Sequence, residues 1–90
     1  MTQSYVNINA MEIIYTSHAV ERMIQRKIST QVIELIINEP DGSIKQSRDK
    51  YIYYKKIKNR NDNFIAAVTV IKAAKKFEII TVMTYFEVKK

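Results

Sequence analysis

The chain has 90 residues, the size of one small domain with a modest core that a second copy or a partner would reinforce. Its net charge of +6 and pI near 9.6 point to polyanionic partners, nucleic acid first and an acidic protein second. Without cysteine and with a single histidine it has no disulfide framework and no thiolate metal site, and its scattered carboxylates offer neither a metal cluster nor paired acids, so no metal or other cofactor is expected.

Residues 1–10 are polar apart from Tyr5, Val6 and Ile8 and read as a tail or an extra edge strand. They carry no secretory pattern, and no stretch of the chain approaches a membrane span, so a soluble cytoplasmic protein is expected. Residues 11–88 then read as one α+β domain. Met11 to Tyr15 is short and β-rich, suiting a strand that leads into a helix near His18, with Ser17 as its N-cap. Ser29 is placed to cap a second helix that runs to about Asn38, with Val32, Ile33, Ile36 and Ile37 on one face and Pro40 forbidding continuation. The second helix has no basic residue between Thr30 and Pro40, which argues against a helix-turn-helix reading a major groove.

The only glycine, Gly42, follows Asp41 in a turn signal ahead of a strand near Ser43 to Ser47. A Tyr-rich strand begins at Lys50, and the polar run Asn59 to Asn63 closes it as a hairpin loop. Phe64 to Ile71 is apolar on both faces, the signature of a central strand. A loop around Ala73 to Lys76 returns the chain to a last strand, Phe77 to Phe86, beside it. The pattern predicts an α+β fold: two N-terminal helices packed on a mostly antiparallel β-sheet meander.

Two sets of residues suggest chemistry. In the first helix His18, Arg22 and Arg26 recur at steps of four, each step advancing about 40°, so they form one ridge, while Ala19, Val20, Met23 and Ile24 fall on the other side. His18 supplies an imidazole, the group that most often exchanges a proton in acid–base chemistry, and the arginines supply cations beside it. The plainer account is a solvated polar face whose arginines pair with Glu21 or Glu34. The second set, Lys55, Lys56, Lys58 and Arg60 with Tyr51, Tyr53 and Tyr54 just before it, interleaves cations with aromatics as single-stranded nucleic-acid platforms do, and Lys27 at the end of the first helix joins this group. Lysines also blunt an exposed strand edge, which would account for the same cluster without a ligand.

The run Ser17-x-His18-Ala19-x-x-Arg22-Met23-x-x-Arg26-x-Ile28-Ser29, followed by a second short helix, a Pro turn and Tyr-rich strands, resembles a widespread bacterial family of unknown function. The resemblance covers roughly Ile13 to Tyr85. Its layout is similar to the RelE-type and BrnT-type ribonuclease toxins, which implies a RelE-like two-layer sandwich. It further implies a metal-independent endoribonuclease of a toxin–antitoxin or related effector system, neutralised by an acidic antitoxin or immunity-type protein. On that resemblance His18, Arg22, Arg26, Thr81 and Tyr85 would be catalytic, and Tyr53 would join the RNA-binding surface. The alternative is a non-catalytic basic module that binds nucleic acid or an acidic protein through the same ridge.

Overall fold

The computed structural model describes residues 11–89, so the reading of residues 1–10 as tail or edge strand lies outside the described residues. Five strands and two helices follow one another as β1 (Glu12–Tyr15), α1 (Ser17–Arg26), α2 (Thr30–Asn38), β2 (Gly42–Lys45), β3 (Lys50–Lys56), β4 (Phe64–Ala73) and β5 (Lys76–Phe86). The fold is α+β, and its single mixed sheet has the order β1-β5-β4-β3-β2. β2 to β5 form an antiparallel meander, and β1 adds to β5 in parallel, pairing Ile13 with Phe77 and Tyr15 with Ile79. No helix among the described residues is long and apolar enough to cross a membrane.

Alternation along the strands sorts the sheet into two faces. Ile65 and Ala67 of β4 and Ile79 and Val82 of β5 join Ala19, Met23, Ile28, Ile33, Ile36 and Ile37 from the helical segment in one buried cluster. β4 is the middle strand, and its residues Ile65 to Thr69 are all buried, as expected of a strand apolar on both faces. The opposite face gathers Tyr54, Phe64 and Phe86, whose rings lie 5.1 and 5.7 Å from that of Tyr54. Gly42 is paired with Tyr54 there, and a Cβ at position 42 would collide with the tyrosine ring. This glycine is required by space rather than by turn conformation, and β2 starts on it.

The cap of α1 differs from the sequence reading. Thr16, not Ser17, is the N-cap: its hydroxyl oxygen accepts from the Ala19 N–H at 3.0 Å and donates to the Ile80 carbonyl at 3.0 Å. A register shift near Val68 and Thr69 leaves Ile80 as an extra residue on β5, which makes its carbonyl available to Thr16. Ser29 caps α2 by accepting from Val32 N–H at 3.2 Å.

Candidate phosphate-handling site

The helical phase of α1 sets the site. Ala19 and Met23 are buried, but Ile24 is 73% exposed and Val20 43%, against the expectation that all four would pack. The apolar positions span a wide arc, and α1 lies over only the β5–β1 side of the sheet, so the sheet covers one flank of that arc. The rotation draws the arginine ridge inward: His18 stays exposed, whereas Arg22 and Arg26 are half-buried. Neither arginine is within salt-bridge distance of a carboxylate among the described residues, so pairing with Glu21 or Glu34 does not occur. Arg22 instead donates from Nε to His18 Nε2 at 3.4 Å and from Nη1 to Gln25 Oε1 at 3.0 Å. The Nε of Arg26 is buried without a hydrogen-bond partner.

At its C-terminal end α1 closes with Lys27 in the left-handed region (φ 56°), its N–H on Ile24 O and the Ile28 N–H on Met23 O. This is a Schellman closure in which lysine occupies the position that glycine usually fills, and buried Ile28 meets buried Met23. An open pocket of about 330 Å³ lies here, lined by Arg26, Lys27, Arg60, Asn61, Asp62 and Tyr85. Tyr85 is 69% exposed and has φ 56°, set by a second irregularity of β5 where Phe64 pairs with Phe86 but Ala66 pairs with Met83. Four of the five positive-φ residues described, Lys27, Asn59, Asn63 and Tyr85, line this pocket or adjoin a residue that does. Backbone strain of this kind concentrates where a side chain must be aimed.

Asp62, absent from the sequence reading, is buried within the pocket wall. Arg60 Nε donates to both its carboxylate oxygens at 3.1 Å, and Nη2 reaches Oδ2 at 2.6 Å. The Arg60 hydrogen bonds hold the Asp62 carboxyl below its ordinary range, against the opposing effect of burial. The arginine also donates to the Lys27 carbonyl at 2.8 Å and the Arg26 carbonyl at 3.1 Å. The signal in the sequence was the Arg60-x-Asp62 spacing in a polar loop, which a reading for loose cations passes over.

Other expected residues are dispersed. His18 and Arg22 lie outside the pocket, two turns of helix, about 12 Å, separating His18 from Arg26. Thr81 pairs with Val68, and the next residue, Val82, pairs with Ala67 of the core, so Thr81 is on the face away from α1. The lysine–tyrosine platform does not form one surface, because neighbouring residues of β3 point to opposite faces. Tyr53 packs on the core and stacks with Tyr51 at 5.7 Å, and burial followed by the Tyr51 neighbour pushes its phenol pKa up. Lys55 is tied to the Glu39 carbonyl at 2.8 Å and to Asp41 at 3.6 Å, while Lys56 and Lys58 are exposed. A larger groove of about 680 Å³ between β1 and α2, lined in part by Tyr15 and Glu34, holds none of the expected residues.

A family model described as a domain of unknown function, DUF4258, matches residues 15–84. The chain belongs to the DUF4258 family. The match takes in α1, where the His-Ala-x-x-Arg-x-x-x-Arg spacing lies, and β5 up to the residue before Tyr85. No curated protein and no solved structure matches the chain.

Proposed function

We propose that this DUF4258 protein acts on RNA as a toxin-like, metal-independent endoribonuclease with a RelE-like arrangement of helices on the sheet. The observation that carries the reading is the meeting of Arg26, Lys27 and Tyr85 in one pocket. Two cations and a phenol lining one open pocket suit an anionic oxygen. In this reading a phosphate of single-stranded RNA sits against Arg26 and Lys27, and the chain continues along the ridge to Arg22 and His18. Cleavage by the adjacent 2′-hydroxyl requires a proton acceptor, charge stabilisation on phosphorus and a proton donor for the departing oxygen. Arg26 and Lys27 hold the developing charge and Tyr85 is the candidate donor. The acceptor role assigned to His18, with Arg22 beside it, requires that it reach the same phosphate across about 12 Å, which the cleavage assay below tests. An acidic antitoxin or immunity-type protein would silence the protein by covering the same cations.

One observation favours the alternative of a non-catalytic RNA-binding module: His18 lies two helical turns from Arg26 and outside the pocket. An RNA cleavage assay on folded wild-type protein and His18→Ala separates the two. Loss of cleavage in the variant supports the enzyme, and binding without cleavage in the wild type across varied RNAs supports the module.

A further inference from the structure

Arg60 and Asp62 lie in the pocket wall without a role in the proposed chemistry. Arg60 spends four of its five N–H donors inside the protein, on the two Asp62 oxygens and on the Arg26 and Lys27 carbonyls. Asp62 in turn accepts, at its own backbone carbonyl, the Tyr85 N–H at 2.8 Å. The pair thereby joins the end of α1, the β3–β4 loop and the irregular end of β5, three segments distant in sequence. Its charges balance each other, so Arg60 adds little free positive potential for a ligand.

We propose, resting on the RNA reading above, that the Arg60–Asp62 pair is a positioning unit that fixes Arg26, Lys27 and Tyr85 around one phosphate group without touching it. The guanidinium fork is specific to this task. It holds a carboxylate and two carbonyls at once, which a lysine ammonium, a single point on a flexible stem, does not reproduce. A residue that merely supplied charge would tolerate that exchange.

The test is a titration of the protein with inorganic pyrophosphate and with a 2′-fluoro oligonucleotide that cannot be cleaved, followed through the backbone amide signals of Lys27 and Tyr85. In the wild type both amides are expected to shift along one binding curve. In Arg60→Lys, with the signals of Ile33 and Ile65 unchanged, affinity should drop roughly tenfold and the two amides should no longer move together. On an Arg26→Gln background, which removes a direct contact, the further change Arg60→Lys should cost less affinity than it does in the wild type, because part of its effect passes through Arg26. Asp62→Asn is the second variant should Arg60→Lys unfold, and it should reproduce the uncoupling. Wild-type affinity in a folded Arg60→Lys, or additive losses in the double variant, would overturn the positioning role while leaving the RNA reading standing. Absence of any shift at Lys27 and Tyr85 in the wild type would overturn both.

Discussion

Lys27 and Tyr85 share the same left-handed backbone angle, φ 56°, and stand in the wall of the same pocket although 58 positions apart in the chain. Neither is a residue that adopts this conformation without cost, which is of order 1 kcal/mol each. The strain is offset by the Schellman closure at Lys27 and by the bond from Tyr85 N–H to Asp62.

Tyr85 should therefore separate stability from activity. Tyr85→Gly is expected to raise stability by about 0.5–1 kcal/mol, since glycine adopts positive φ freely and the exposed ring packs little. Tyr85→Phe should leave stability unchanged. Both should impair RNA cleavage by removing the phenol, which chemical denaturation alongside a cleavage assay would read. A destabilised Tyr85→Gly would show that the ring, not the backbone, governs this position.

His18→Ala should keep the fold, because the side chain is exposed in the first turn of α1, and should lower cleavage by about 10²–10⁴-fold. Arg22→Ala should also impair it, and Arg22→Lys should recover only part, the two-point contact being lost. Equal activity of His18→Ala and wild type removes His18 from the chemistry.

Binding of single-stranded RNA should weaken with salt. If Arg26 and Lys27 share one phosphate and Arg22 meets a second, the slope of log K against log salt should be about −1.4, from about −0.7 per phosphate. Fluorescence titrations at several ionic strengths give this slope, and a flat dependence would point to a protein partner instead.

Asp62→Asn should cost about 1–3 kcal/mol at neutral pH by breaking a largely buried charged pair. Because Arg60 lowers the folded-state pKa of Asp62, the stabilisation is fully present above the unfolded carboxyl value and is lost as pH falls below it, toward the lowered folded value. Thermal melts between pH 2 and 6 should show the gap between wild type and Asp62→Asn constant at the upper end and closing toward the lower.

Gly42→Ala should destabilise by about 1–3 kcal/mol, because Tyr54 is held by Phe64 and Phe86 and has little room to yield to the added Cβ. Tyr54→Ala on that background should cost less than on the wild type, a coupling that a double-mutant cycle measures.

The elements themselves were legible: both helices, the break at Pro40 and the strand pattern from Lys50 onward follow from periodicity and capping chemistry. What periodicity could not give was phase and face. The arc of Ala19, Val20, Met23 and Ile24 is wider than the flank a helix at the sheet's β5–β1 side can bury, so the pattern alone does not say which pair stays exposed. The irregularities in β5 depend on tertiary bonds, Thr16 to Ile80 and Tyr85 to Asp62, that no local sequence rule encodes. Lys27 and Tyr85 carry side chains at positions where glycine would have marked the special backbone. The β3 platform is the exception, since alternation already forbids Tyr53 and Tyr54, or Lys55 and Lys56, from sharing a face.

The parallel pairing of β1 with β5 makes the site depend on a closure between distant parts of the chain. Thr16 must find Ile80 across 64 positions of chain, a closure that the local hairpins β2–β3 and β3–β4 do not require. During synthesis the meander can begin to pair while β5 is still unmade, but the start of α1 has no anchor until that strand emerges. A nascent chain halted before residue 76 would carry every arginine of the ridge and the Arg60–Asp62 pair, but neither Tyr85 nor the strand that anchors the start of α1.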